Sequence, residues 1–430
     1  MTANTPDQHV LIIGAGIVGL LIAQGFTKEG IPCTVFESEP SGSHYRPREW
    51  GMSIQWGLPL LKTIFTPEKF SQIHTAAVDP NYDPPDPEKM PTFNGATGEF
   101  IKYIPLLRMY RVSRRKFRLF CAEGINILYG KTLSSITYPN PGQVTATFAD
   151  GTSSTGTLLI GADGTHSTVR QLIFNNAPTA LAKTVPYNAI NLHVHYNSPS
   201  KALHVRQHHP IMYHAIHPLG YWLFIAVQDI PDPNDPSTWV FQLQCTWKKG
   251  NPNDPCRQPD GTENDPSSLE MHMKRAETFG EPFKSANLWL PKDTKLNVNQ
   301  MSYWIPEPWD SRDGMVILAG DAAHPMTFQR GQGLNHGIAD AVSITKLLAR
   351  VKKGDMGREE AVREYMDEMI PRVGEEVKGS LGNTEMLHDW EKMMGSAIME
   401  RGGHANVGNK SVDEKSRLGT YDTTDEERKM

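Results

Sequence analysis

The sequence predicts an α/β protein in which a Rossmann-like dinucleotide-binding unit is joined to an antiparallel sheet and C-terminal helices. Three observations carry this prediction. Residues 10–37 read as strand, glycine turn, helix and strand. Two later apolar runs, 157–160 and 315–319, each end in a turn bearing glycine and aspartate, where doubly wound sheets bind ligands. Between them, residues 185–247 change to period-two alternation, the mark of strands with one face buried. The expected organisation is a discontinuous nucleotide unit (8–180 and 300–350), a sheet domain (181–299), helices (351–400) and a polar tail (401–430).

The first unit, VLIIGAGIVGLLIAQGFTKEGIPCTVFE, contains Gly14-x-Gly16-x-x-Gly19. Gly14 permits a tight turn, Gly16 lets backbone approach a pyrophosphate, and Gly19 lets the helix pack close to the strand. The helix N-terminus offers free N–H groups to phosphate charge. Glu37 ends the second strand twenty-one residues after Gly16, where an acid bonds a ribose 2'-hydroxyl and disfavours a 2'-phosphate. The glycine spacing by itself also arises in ordinary turns, and the motif does not separate NAD from FAD.

A chain of 430 residues can bury a large core, and its 43 basic and 48 acidic residues leave a net charge of −5 with no long run of one sign. Nucleic-acid and membrane-surface partners are therefore not expected, and a small molecule is. Cys33, Cys121, Cys245 and Cys256 are dispersed, which suits reduced thiols and a cytoplasmic setting. The longest apolar stretch, 10–26, carries four glycines and no cleavage signal, so neither a signal peptide nor a membrane span is expected. A monomer or a homodimer is expected.

Arg46 and Arg48 follow in a Pro- and Arg-rich segment, placed either to meet phosphate or flavin or to face solvent; Leu58, Leu61 and Ile64 then recur at helical spacing. Residues 79–98, dense in Pro, Asp and Gly, predict a surface loop. In RMYRVSRRKFRLFCAEG, Phe117 and Phe120 suit one face of a helix. Strand 144–148, the turn Asp150-Gly151 and strand 157–160 read as a hairpin. Pro218-Leu219-Gly220 predicts another within the period-two region, and 251–268 a second loop. After 315–319 comes a helix with Ile338, Ala341, Val342 and Leu348 on one side. An amphipathic helix over 359–370 is expected to stop before Pro371.

The three motifs, in this order and spacing, resemble the single-component flavoprotein hydroxylases of the para-hydroxybenzoate hydroxylase fold, including salicylate-hydroxylase-like enzymes, over the chain to about Arg350. The resemblance implies FAD, with Gly14, Gly16, Gly19 and Glu37 at its ADP half, and Arg48 is a further candidate for its phosphate or flavin. Val112-Ser113-Arg114 followed by Phe117 implies that Arg114 contacts FAD, whereas Arg115 and Arg118 are not carried over. LLIGADGTHSTVR implies that Asp163 sits near the pyrophosphates of FAD and of NAD(P)H. VILAGDAAHPMTFQRGQGLNHGIADA implies that Asp321 holds the ribitol chain, and Gly331 and Gly333 offer N–H groups toward the flavin pyrimidine edge. Phe328 stands where many relatives have proline. His324 reads either as an acid–base group or as structural.

The activity implied is an NAD(P)H-consuming monooxygenase: reduced FAD adds O2 as a C4a-hydroperoxide, whose distal oxygen passes to an aromatic or enolisable substrate, in secondary metabolism or aromatic catabolism. The substrate face is expected on the sheet 185–247, where seven of the sixteen histidines fall. Tyr213 and His214 are candidates pointing to opposite faces, and Arg206 is the nearby cation for a substrate carboxylate. His193-x-His195 projects two rings to one face, but without further ligands no metal is expected. Three alternatives remain: a halogenase, of whose W-x-W-x-I-P segment only Trp304-Ile305-Pro306 is present, a reductase or dehydrogenase of the same fold, and a non-enzymatic flavin-bound sensor or scaffold.

Overall fold

The computed structural model describes residues 9–42, 49–258, 260, 262–396 and 399; Arg46, Arg48 and the tail 401–430 lie outside them. The chain runs β1 (Val10–Ile13), α1 (Ile17–Glu29), β2 (Cys33–Glu37), β3 (Gly51–Ile54), α2 (Leu61–Ile64), α3 (Pro67–Ser71), β4 (Glu88–Asn94), β5 (Phe100–Leu106), β6 (Tyr110–Ser113), α4 (Arg114–Ala122), β7 (Ile127–Tyr129), β8 (Leu133–Thr137), β9 (Val144–Phe148), β10 (Ser153–Gly156), β11 (Leu158–Gly161) and α5 (Thr168–Ile173). It continues β12 (Lys183–His195), α6 (Pro199–Arg206), β13 (Met212–His217), β14 (Tyr221–Asp229), β15 (Val240–Lys248), α7 (Leu269–Ala276), α8 (Phe283–Leu288), β16 (Asn297–Tyr303), β17 (Val316–Leu318), α9 (Gly333–Lys353), α10 (Arg358–Leu387) and α11 (Trp390–Met394).

The apolar runs before each motif assemble into one parallel sheet of order β17-β11-β1-β2-β7. Every residue of β1, β11 and β17 is buried, as parallel strands covered on both faces require. Helix α1 packs against α9 and β2, and this core extends to Val373 of α10. A second core lies under a seven-stranded sheet of order β16-β12-β15-β14-β13-β4-β5, with Tyr213, Trp247, Phe279 and Phe283 among its buried rings. No described helix is long and apolar enough to cross a membrane.

Four expectations are corrected. The partner of β9 across Asp150-Gly151 is β10, not 157–160. At Thr157 the backbone N–H turns to the His9 carbonyl, and the apolar β11 joins β1 in the parallel sheet, leaving the polar β10 in an outer three-stranded sheet.

The stretch 79–98 is not all loop, because β4 pairs parallel to β13 and antiparallel to β5. Pro91 is tolerated since the β13 ladder begins one residue later, at Thr92, so no N–H is demanded of it there. The large sheet thus draws β4 and β5 from before residue 181, and β16 runs on to Tyr303.

The sheet is also more than half-buried. Every residue of β13 is buried, since Tyr213 and Ala215 face one core while His214 and Ile216 are covered on the other side.

Finally, α10 runs through Pro371. Pro371 and Asp367, whose carbonyl loses its helical partner, both lie on the exposed side where water can bond that carbonyl. Tyr365 donates to the Leu318 carbonyl (2.9 Å), and Val373 and Val377 are fully buried. These contacts offset a proline cost of about 3 kcal/mol.

Candidate active site

The glycine turn after β1 is shaped by two close approaches and one opening. Gly14 has φ +108°, and a Cβ there would lie 2.5 Å from the Ala162 carbonyl oxygen, so the first motif turn is pressed against the second. A Cβ on Gly19 would lie 2.2 Å from the Gly14 oxygen. A Cβ on Gly16, with φ −70°, would meet nothing closer than 3.8 Å, so the protein's own packing does not require glycine there. Gly333 is similar, with 3.8 Å to Asp321 Oδ1, and nothing lies within 4 Å of a Cβ on Gly331.

Gly16 and Gln332 begin α1 and α9, and neither helix has a side-chain cap or an acid in its first turn. Helices α3, α4, α5, α7 and α11 are capped, by Thr66, Ser113, Ser167, Ser268 and Asp389, while α2, α6, α8 and α10 also lack a side-chain cap but do not begin at an open glycine of the motifs. Gly320 and Gly337 both pack on Val18, which brings the starts of α1 and α9 together. Two uncapped N-termini with open glycines fit an anionic, elongated cofactor such as FAD.

Glu37 ends β2 beside this turn. Its Oε2 accepts from the Ala15 N–H (2.8 Å), and Oε1 accepts from Ser38 Oγ (3.0 Å) and Glu39 N–H (2.9 Å). A carboxylate has about four acceptor sites, so one is left for a ribose hydroxyl. Arg118, passed over by the resemblance, reaches the same place: its Nε donates to the Ala15 carbonyl (2.8 Å) and its Nη1 pairs with Glu39 (3.0 Å). It lies one helical turn beyond Arg114, and that i, i+4 spacing was the available signal.

In the second motif the Asp163 carboxylate receives Ser167 Oγ and the N–H groups of Thr168 and Val169. It thereby fixes the start of α5. Burial raises its pKa, against those hydrogen bonds. Arg170, at the end of the motif, is nearly inaccessible and donates to the carbonyls of Thr165, Ala180 and Ala322 (2.6, 2.7 and 2.7 Å), its guanidinium 5.0 Å from the Trp304 ring. It ties the second motif to the third.

Asp321, at the start of the turn after β17, is exposed, while its neighbours Gly320 and Ala322 are buried. Desolvation raises its pKa, and the charges of His324, Arg114 and Arg170 pull it down. Arg114 lies 5.0 Å from the Trp50 ring. His324 turns the other way: its Nε2 is 2.6 Å from Asp340 Oδ2 in the interior, the structural of its two readings.

The sheet places Tyr213 and His214 on opposite sides. Tyr213 donates to the Val205 carbonyl and packs on Phe93 and Phe283, away from the motifs. His214 shares the face of Trp222 and Phe224, but both its nitrogens are engaged. Nδ1 accepts from Trp222 Nε1 (2.9 Å), so Nε2 carries the proton toward Thr92 Oγ1 (2.7 Å). Burial pulls its pKa down to about 4, leaving it neutral near pH 7.

On this face a column of side chains runs from the third motif into the sheet. Phe328 meets Trp222 at 6.1 Å, Trp222 stacks on Phe224 at 5.4 Å, and Arg111 lies 5.2 Å beyond Phe224. Arg206 is not available for a substrate carboxylate there, because it pairs with Asp79 and stacks on Trp239. Arg111 is buried with no carboxylate partner among the described residues; its Nη2 donates to Gln242 Oε1, its Nε finds no partner, and desolvation pulls its pKa down to about 9. His193 and His195 do share a face, but His195 bonds the Ser237 carbonyl while His193 faces a cavity beside Glu49.

Residues 292–379 match the family model for an FAD binding domain. The chain is 40% identical over 401 residues to FAD-dependent monooxygenase phnB of Penicillium herquei, covering 93% of this chain and 96% of that one. It is 36% identical over 404 residues to FAD-dependent monooxygenase cctM of Talaromyces islandicus, covering 94% and 98%. Among solved structures, Klebsiella pneumoniae HpxO complexed with FAD and uric acid has a TM-score of 0.69 at 19% identity, covering 92% and 94%, a likeness of fold.

Proposed function

The chain belongs to the FAD-dependent monooxygenases, and on that premise we propose that it consumes NAD(P)H and O2 to place one oxygen atom in an aromatic or enolisable small molecule of secondary metabolism. The observation that carries the substrate reading is the column Phe328–Trp222–Phe224–Arg111. It carries a row of aromatic rings from the third motif into the sheet, and a cation with no carboxylate partner among the described residues ends it. A planar substrate with an ionised oxygen suits such a surface.

Bound FAD would supply the electron carrier and the activation of oxygen. Gly14, Gly16, Gly19, Glu37 and Arg118 would hold its ADP half; Arg114, Asp321, Gly331 and Gly333 would hold its flavin half. The chain's own contribution is to position, desolvate and neutralise charge. Phe328, partly exposed, covers Trp222 and keeps water from it. Arg111 favours the anionic form of the substrate, and phenolate or enolate carbon is the better nucleophile. His214 is not the base, because its lone pair receives the Trp222 N–H and its proton faces Thr92.

An oxygen electrode and a panel of hydroxylated arenes, each paired with its O-methyl ether, test this reading. The expected result is slow NAD(P)H oxidation alone, stimulated many-fold by a free phenol or enol and not by its ether, with one O2 taken up per NAD(P)H. NAD(P)H oxidation without O2 uptake would overturn it.

A further inference from the structure

A cavity of about 30 Å³ lies where the chain entering β3 meets the β12–β16 edge of the large sheet; Glu49, Trp50, Asn191, His193, Asn297 and Asn299 line it. That is room for one or two waters or a planar group of three heavy atoms, and too little for a ring. Its lining is mixed, with Leu192 and the Trp50 ring beside the polar groups, and is in part fixed by hydrogen bonds. Asn191 donates from Nδ2 to the Glu49 carbonyl (3.3 Å) and accepts at Oδ1 from Gln242 Nε2 (2.8 Å). Glu49 Oε1 receives Ser113 Oγ (2.9 Å), the Arg115 N–H (2.9 Å) and Gln228 Nε2 (3.2 Å), which sets the direction of the other oxygen.

That other oxygen, Glu49 Oε2, is buried and has no partner among the described residues, and neither has His193 Nε2. Buried polar groups are nearly always bonded, so two orphans on residues that line one cavity mark a place for a polar group, water or ligand. At the rim stands Trp50, partly exposed and backed by Arg114, whose charge also reaches Asp321. The cavity therefore adjoins the flavin half of the FAD site.

We propose that this cavity is the socket for the carboxamide of NAD(P)H, with the nicotinamide ring resting at Trp50. The proposal rests on the reading of NAD(P)H as the reductant. A carboxamide has three heavy atoms in a plane, two N–H donors and one acceptor. One N–H meets Glu49 Oε2, and the carbonyl or the second N–H meets His193 Nε2 in either tautomer. A phosphate would face the Glu49 carboxylate with like charge, whereas a carboxamide brings a donor to Glu49 and a second donor or an acceptor to His193 on one rigid plane. Burial and the nearby Arg111 charge pull the His193 pKa down to about 4, so it meets the ligand as a neutral imidazole. The Glu49 carboxylate also suits the positive ring of NAD(P)+.

The FAD-loaded enzyme tests this under anaerobic conditions, with dissociation constants for NADH, NADPH and their reduced 3-acetylpyridine analogues taken from flavin-reduction kinetics. Calorimetry with the oxidised dinucleotides provides a readout independent of turnover. The acetyl group keeps the carbonyl and lacks both N–H donors. Wild type should bind the better natural dinucleotide about 10-fold more tightly than its acetylpyridine analogue. Glu49→Gln should lose that preference while keeping FAD, and Trp50→Leu should weaken both ligands alike. Should Glu49→Gln fail to fold, Asn299→Leu decides, since it fills the cavity without touching the Glu49 bonds and should weaken the natural dinucleotide. Unchanged affinities and an unchanged preference in these variants would overturn the socket, as would a loss confined to the organic substrate. If neither NADH nor NADPH reduces the wild-type flavin, it is the proposed function that falls.

Discussion

His324 and Asp340 meet in the fully buried interior with Nε2 and Oδ2 2.6 Å apart. The same carboxylate accepts from the Gly320 N–H (2.8 Å) and from Arg372 Nη2 (2.9 Å). One side chain of α9 therefore fixes the turn that carries Asp321 and the helix that runs through Pro371.

Asp340→Asn should accordingly weaken both stability and FAD retention. Burial alone would raise the Asp340 pKa, but the charges and hydrogen bonds of His324 and Arg372 outweigh it and hold the carboxyl below its ordinary range. A depressed carboxyl contributes its stability above the unfolded value of about 3.9 and loses it as pH falls below that. The variant should thus be destabilised by about 3–5 kcal/mol at neutral pH, the cost of breaking a buried pair. Denaturant melts at pH 7 check this, and equal midpoints and slopes for the two proteins would refute it.

Gly16→Val and Gly19→Ala should separate cofactor binding from folding. The first adds a side chain where the protein leaves space, so the apo fold should melt normally while the purified protein is colourless. The second drives a Cβ to 2.2 Å from a backbone oxygen and should destabilise the fold itself. A Gly16→Val protein that keeps stoichiometric FAD would show that the nucleotide does not pass this turn.

Arg118→Gln removes the cation that ties the Ala15 carbonyl to Glu39. A charge-assisted hydrogen bond is worth about 1.5–3 kcal/mol, so FAD should dissociate about 10-fold or more readily. Arg115→Gln, its neighbour on the exposed side of α4, should change retention little. Fluorescence of released flavin on dilution compares the two, and equal release would dismiss the assignment of Arg118.

Tyr213→Phe and His214→Gln should differ in kind. The first leaves the Val205 carbonyl without its donor and should cost about 1–3 kcal/mol of stability with substrate-stimulated turnover unchanged. The second loosens Trp222 in the column and should raise the share of peroxide formed per NAD(P)H. It should also reduce acid sensitivity. An imidazole whose pKa is lowered on folding contributes fully above the unfolded value of about 6.5, and loses on the order of 1 kcal/mol per pH unit as pH falls toward about 4. His193, His272 and His388 share that shift and keep part of the sensitivity in the variant. Peroxide yield and melts at pH 7 and pH 5 check the pair, and a stability loss in His214→Gln with unaltered coupling would remove His214 from the cleft.

The shape of the candidate nucleotide turn was legible in the chain because its signals are local. Gly14 must adopt positive φ, Gly19 must let the helix approach within one carbonyl, and Glu37 must follow at the end of the next strand; each requirement falls on one residue type at one spacing. The Pro218-Leu219-Gly220 hairpin was legible for the same reason, with Gly220 at φ +81°.

What the sequence determined by itself, then, was the α/β order, the three glycine-bearing turns and the family they resemble, since backbone conformation and short-range packing are written in neighbouring residues. Only the tertiary structure decided which face of the sheet meets the motifs, and so that His214, Trp222 and Phe224 share the face that packs on Phe328 while Tyr213 packs on the other side. Period-two alternation specifies that two faces differ; what covers each one is set by partners far along the chain. Distance also hid β4, which exists because β13 and β5 flank it, and the passage of α10 through Pro371, which Asp340, Leu318 and a buried face sustain. Arg118 comes to the glycine turn for the same reason: its partners Ala15 and Glu39 stand about a hundred and about eighty residues before it and become neighbours only when α4 folds beside that turn.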